Sequence, residues 1–391
     1  MIDCGYIGRT LHRLRSCALQ KFNGSDFSVR LPMVGVFNQR IIKFRPHIIH
    51  SHHPFLLGDT ALRFAASQQA PIVFTHHTLY ERYTHYVPFD SAAIKQFVIQ
   101  LSTDYANLCQ AVIAPSESIA RLIRKRGVVT PIHVIPTGID VSSFAGGDRH
   151  AFRKAHRIPA RTFVVGHVGR LAPEKNLKYL AAAVAAFIKS TPQTLFLVVG
   201  AGPSEKAVQA AFARAGISER LLMAGKKTGS DLHAAYRAMD LFAFSSQSET
   251  QGMVVAEAMA AHLPVVALDA SGVREVVEDG SNGFLLESSA PVAEFVRHLK
   301  KIKADPALRR RLIAGAVRTA KLYTRERCAQ TVLDLYQQLL AEKQEALAAN
   351  ATEPWTSLLD RIEVEWRLIS DKAGAAFNAL LAEDKDIATS S

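Results

Sequence analysis

The chain is poor in cysteine. Its four cysteines in 391 residues, Cys4, Cys17, Cys109 and Cys328, stand too far apart for a zinc knuckle or a redox pair, and no disulfide framework is expected. Long apolar runs are lacking too: none reaches the ~20 residues that a membrane-spanning helix needs, and the first residues have no hydrophobic stretch of the signal-peptide kind. Acidic residues are in deficit, with 35 Asp and Glu against 47 Lys and Arg, a net charge of +12. That excess has neither the aromatic-interleaved strands nor the finger spacing of a nucleic-acid reader, so no nucleic-acid partner is expected. Internal repeats and low-complexity tracts are missing as well. The expectation is a cytoplasmic chain, and its basic charge leaves open a peripheral place on the inner face of the membrane.

What is present is a globular composition, 48% hydrophobic and 21% charged, at a length that suits two domains. Short β-branched runs alternate with helical patterns. HIIH (47–50), PIVFT (71–75), AVIA (111–114) and IHVIP (132–136) read as one series of buried strands; FVVGHV, TLFLVVG, DLFAF, PVVALD and GFLL read as a second. Strand and helix in repetition imply parallel sheets covered on both faces, an α/β protein of two doubly wound, Rossmann-like lobes with a cleft between them. The expected organisation is an amino-terminal lobe over 1–136, a Gly-, Ser- and Asp-rich connection over 137–148, a second lobe over 149–340, and a helical tail over 341–391 whose acidic end is disordered. The basic run RLIRKR (121–126) reads equally well as a solvated helix face or as a patch for an anionic membrane surface, a phosphorylated ligand or, least of these, a nucleic acid.

The stretch SETQGMVVAEAMA (248–260) carries two glutamates in an otherwise apolar segment. It follows the DLFAF strand, so Glu249 falls in a polar loop and Glu257 in the second turn of the next helix. In parallel α/β sheets, ligands bind at the carboxyl ends of strands, where helix amides and the positive dipole end are presented. The amides of Gln251, Gly252, Met253 and Val254 stand at that place. A helix start suits a diphosphate and carboxylates suit hydroxyls, which together describe a nucleotide sugar. VGHVGRLAPEKN adds Gly169 in a turn after a strand, then Arg170 and Lys175, two cations suited to a diphosphate leaving group. VVGAGP has the glycines of a tight turn but matches neither the dinucleotide fingerprint nor the P-loop.

GRLAPEKN, VVGAGP and SETQGMVVAEAMA, in this order, resemble the donor-binding lobe of the retaining GT-B glycosyltransferases, specifically family 4, and the similarity covers about residues 37–336. The resemblance implies a GT-B fold and a metal-independent, retaining hexosyl transfer from a nucleoside-diphosphate sugar such as UDP-hexose, with no cofactor besides this co-substrate. It assigns Glu249 to the donor sugar, Glu257 to the ribose, Arg170 and Lys175 to the diphosphate, and His77 of the T-x-H-T segment to the donor sugar. His52 and His53 match a neighbouring segment that lines the cleft. By the same resemblance the nucleotide diphosphate departs, the acceptor hydroxyl attacks from the same face, and the leaving phosphate takes its proton.

HSHHPFLLG and THHTLYERYTHYVP are most similar to bacterial transferases that glycosylate diacylglycerol or related membrane lipids. The implied acceptor is therefore a lipid or small hydroxyl compound, at an anionic membrane surface, with Tyr80, Tyr83, Tyr86 and Phe89 as an aromatic patch or as core. The histidines also raise a metal site, which the lack of a neighbouring acid disfavours. The lone Asp384-x-Asp386 lies in the tail. The family's opening strand and glycine-rich turn are expected to be missing, with Gly5 and Gly8 as a remnant before a helix from Arg9. On that reading the alternative is a nucleotide-sugar-binding or scaffold protein with little turnover.

Overall fold

The computed structural model describes residues 19–21, 28–30, 45–82, 84, 91–247, 249–349, 367, 370–372 and 374. Gly5, Gly8, the expected helix from Arg9, Tyr83, Tyr86, Phe89, Ser248, Asp384 and Asp386 lie outside these. The chain divides into two compact units: residues 1–112, 126–131 and 339–391 form the first, and residues 113–125 and 132–338 the second.

Short strands β1 (Leu19–Lys21) and β2 (Ser28–Arg30) pair antiparallel. A four-stranded sheet runs in the order β3-β4-β5-β6, from Ile49–Ser51, Ile72–Thr75, Ala111–Ala114 and Ile132–Val134. β3 and β4 pair parallel. β4 and β5 are buried at every residue, as their unbroken apolar runs require of a parallel sheet covered on both faces.

The second unit holds six parallel strands: β7 (Phe163–Val168), β8 (Thr194–Val199), β9 (Leu221–Gly225), β10 (Leu241–Phe244), β11 (Val265–Leu268) and β12 (Gly283–Leu286). Their order, β12-β11-β10-β7-β8-β9, is the doubly wound arrangement in which the chain reverses direction between β7 and β10. One apolar layer, with Phe242, Phe244 and Met259, covers one face; another, with Leu180, Phe187 and Phe295, covers the other. Arg149 and Arg153 lock the helix Arg149–Ala155 to Asp240, at 2.7 and 2.8 Å, just ahead of β10.

Two details differ from the sequence reading. β9 is an added edge strand, half-buried along most of its length. The segment expected as an irregular connection contains the helix Val141–Ala145, started by Asp140, whose carboxylate accepts from the Ser143 amide at 3.0 Å. Beyond Tyr336 the helix Arg325–Ala349 continues the chain. No helix among the described residues is long and apolar enough to cross a membrane.

Candidate active site

The reversal point of the second sheet is where ligands of such folds bind, and the loops after β7 and β10 meet there. The β7–β10 ladder ends at Gly166 and Phe242. One residue on, the ring of His167 takes the place of a backbone partner, its Nδ1–H donating to the Ala243 carbonyl at 3.3 Å. Burial lowers the pKa of this imidazole to about 4, so it is neutral at pH 7. Beyond the strands the loops are stitched together: Ser245 Oγ donates to the carbonyls of Lys175 and Asn176 at 2.9 and 3.1 Å, and the Gln247 amide donates to the Glu174 carbonyl.

Close backbone approach explains the glycines of VGAGP, which are weak as a motif. A Cβ on Gly200 would lie 1.9 Å from the Gly169 carbonyl oxygen, so the turn after β8 rests directly on the turn after β7. Gly169 opens the latter. Arg170 and Lys175 follow it; Lys175 closes a single 3-10 turn, Pro173–Lys175, and the α-helix begins only at Leu177. Arg170 pairs with Glu174, and Lys175 Nζ meets Glu249 Oε1 at 2.5 Å. The cation and the carboxylate that sequence reading assigns to the diphosphate and the sugar are thus joined, with side chains only 17% and 14% exposed.

The helix Met253–Ala260 starts at Gly252, whose φ of 71° is left-handed, and its first bonds run from the Val255 and Ala256 amides to the Gly252 carbonyl. The amides of Met253 and Val254 precede those bonds and are among the donors that a helix leaves unused. Gly272, in the loop after β11, presses on this start: a Cβ there would lie 2.5 Å from the Gln251 nitrogen. The Gln251 side chain is itself committed, giving to and taking from the Thr137 backbone at 2.9 Å each way. Glu257, the one polar residue of an otherwise apolar helix, accepts from the Tyr236 hydroxyl at 2.7 Å. Burial raises its pKa to about 7 against the lowering effect of that bond.

His77 belongs to the first unit. Its Nε2 and His52 Nδ1 are 2.9 Å apart, and the two rings stack at 5.1 Å. His50 hydrogen-bonds Thr75 Oγ1 at 2.6 Å, and Tyr80 sets its edge against His53, Phe55 and His76. Burial lowers His50 to about 3 and His76 and His77 to about 4, so all three are neutral at pH 7. Among the described residues no group of three or more His, Cys, Asp or Glu is placed to hold a metal. The basic run is partly neutralised: Arg124 lies 3.5 Å from Glu117, and Arg126 pairs with Glu81 at 2.6 Å. Gly272 in the loop after β11, His167 at the end of β7 and Tyr236 on the helix Gly229–Ala238 are parts of the donor side that sequence reading did not single out.

The two α/β sheets, one of them doubly wound with a glycine turn and an open helix start at its reversal point, have the GT-B fold of glycosyltransferases. The chain belongs to the family described as Glycosyl transferases group 1, which matches residues 148–319, with Glycosyltransferase Family 4 matching residues 8–143. It is 31% identical over 337 residues to a D-inositol 3-phosphate glycosyltransferase of Salinispora tropica, covering 81% of this chain and 70% of that one. It is 29% identical over 322 residues to the alpha-monoglucosyldiacylglycerol synthase of Acholeplasma laidlawii, covering 79% of each. Among solved structures, Anabaena HepE in complex with UDP superposes with a TM-score of 0.64 at 23% identity, over 76% of this chain and 81% of that one.

Proposed function

We propose that this glycosyltransferase moves a hexose from a UDP-hexose to a hydroxyl of a membrane lipid such as diacylglycerol, with retention at the anomeric carbon and no metal ion. The observation that carries the donor side is the Lys175–Glu249 pair joining the loops after β7 and β10, just ahead of a helix start that leaves the Met253 and Val254 amides unused and carries Glu257 in its second turn. UDP is favoured as the nucleotide by the likeness to a UDP-bound fold. Lipid is favoured as the acceptor by the likeness to a diacylglycerol-named relative.

In the proposed reaction the bond between the anomeric carbon and the diphosphate oxygen breaks, and its electron pair leaves with the UDP. Lys175, Arg170 and the helix amides stabilise that growing charge. The acceptor oxygen attacks from the face the UDP leaves, and its proton passes to the departing phosphate. Glu257 accepts from the ribose and Glu249 from the sugar. His77 takes part as a neutral hydrogen-bonding group, because burial keeps it uncharged at pH 7.

The test is a thermal-melting screen against sugar nucleotides, followed by transfer to diacylglycerol vesicles in excess chelator. A ligand that binds only the folded state at a hundred times its Kd adds about 2.7 kcal/mol of stability, so the donor stands out clearly. The expected result is stabilisation by UDP-hexose and an α-glycoside from an α-donor, read by proton NMR. An inverted product, or activity that returns only with manganese, overturns the proposal; stabilisation without transfer to any hydroxyl points to a binding protein instead.

A further inference from the structure

We infer that Tyr236 is a positioning residue for the donor's ribose: it holds one oxygen of the Glu257 carboxylate so that the other is offered to the ribose hydroxyls. The inference rests on the donor reading above. It starts from the helix Met253–Ala260, whose residues are apolar except Glu257. A carboxylate set among buried apolar groups requires a partner, and the neighbouring helix Gly229–Ala238 supplies one. Tyr236 is completely buried, its ring edge-on to Phe144 at 5.4 Å and tilted against Phe242 at 5.8 Å. A ring gripped in this way fixes where its hydroxyl lies, and that hydroxyl is 2.7 Å from Glu257 Oε2. Among the described residues nothing donates to Oε1.

An ionised carboxylate only accepts, and a ribose diol presents two hydroxyl donors. With Oε2 anchored, rotation of the carboxylate is stopped and Oε1 keeps one direction. Burial and the Tyr236 hydroxyl are the influences on the ionisation of Glu257. Of the other helices packed on its own, Val141–Ala145 carries no ionisable residue, and the arginines of Pro306–Ala320 do not act on it. Tyr236 therefore also keeps Glu257 ionised at a lower pH than burial alone would allow.

The experiment compares UDP with 2′,3′-dideoxy-UDP by calorimetry across pH 5.5–8.5, in the full chain and in Tyr236→Phe. The full chain is expected to prefer UDP by about tenfold, with the preference growing as pH rises through about 7. In Tyr236→Phe the preference is expected to shrink to about threefold or less at pH 7 and its midpoint to move up, while diphosphate binding persists. Site-specific 3-fluorotyrosine at 236, a stronger donor of nearly the same size, should move the midpoint down and serves where Phe impairs folding. If the full chain binds no UDP, the donor reading falls and takes this inference with it. If the full chain prefers UDP but the preference and its midpoint are unchanged by both substitutions, UDP binding stands and the positioning role is overturned.

Discussion

Replacing Glu249 by glutamine should tighten the binding of UDP while slowing sugar transfer. The ammonium of Lys175 lies 2.5 Å from Glu249 Oε1, so a diphosphate that recruits this cation must first draw it away from an internal carboxylate. A hydrogen bond between two shielded charged groups lies toward the upper end of about 1.5–3 kcal/mol, and one in which only the ammonium is charged toward the lower end. Glutamine keeps the geometry and an acceptor oxygen, so the change removes only the difference, about 1–1.5 kcal/mol, or roughly five- to tenfold in affinity. Both side chains are more than four-fifths shielded, so solvent does not erase that difference. Titration calorimetry with UDP on Glu249→Gln reads the gain, and the initial rate with UDP-hexose reads the loss, because the proposed sugar contact weakens. UDP that binds Glu249→Gln more weakly than the unaltered chain would show that the carboxylate is not a competitor for Lys175, and the exchange argument would fail.

Two further outcomes concern stability. The Glu257 carboxyl, raised from 4.5 to about 7 in the folded state, holds a proton there that the unfolded chain has lost over that interval. Unfolding free energy should therefore fall as pH rises from 4.5 to 7, by about 1–3 kcal/mol, and Glu257→Gln should flatten this slope in urea titrations; parallel curves for the two proteins would refute the burial argument. Gly200→Ala, which sets a Cβ 1.9 Å from the Gly169 carbonyl oxygen, should cost about 2–4 kcal/mol through strain and overpacking and should weaken UDP binding in the same protein. A variant as stable as the parent would show that the two turns do not rest on each other.

Both strand series were legible because parallel strands buried on two faces are written as unbroken apolar runs, most of them rich in β-branched residues, and AVIA and VVAL coincide with β5 and β11. β9 lacks that mark: LLMAG is mostly half-buried, unlike the other edge strand β12, and contains no β-branched residue. The placement of Glu249 in a loop and Glu257 in the second turn also followed from local pattern alone. What local pattern does not carry is pairing across distance. Lys175 meets Glu249 74 residues away, and Tyr236 meets Glu257 21 residues away. Each is an ordinary surface or core residue until the sheet order brings its loop or helix beside the other. Gly272 is hidden for the same reason, since only the packing of the loop after β11 on Gln251 makes its missing side chain necessary.

Under the proposed function, these pairings set the terms on which a donor binds. The polar groups around the reversal point have internal partners: Arg170 with Glu174, Lys175 with Glu249, Glu257 with Tyr236, and Gln251 with the Thr137 backbone. Without such partners, the shielded cations and carboxylates would carry large desolvation costs. A ligand gains little by replacing one pair, because each new contact is offset by the one it breaks. A nucleotide sugar differs in bringing matched groups at once, a diphosphate for the cations and hydroxyls for the carboxylates they release. In the proposed exchange Lys175 would pass from Glu249 to the phosphate, and Glu249 would turn to the sugar hydroxyls without being left unpaired. A bare diphosphate satisfies the first half and strands the carboxylate. On the proposed roles of Lys175 and Glu249, the ion pair would favour donors that carry both anion and sugar over free phosphates that carry one.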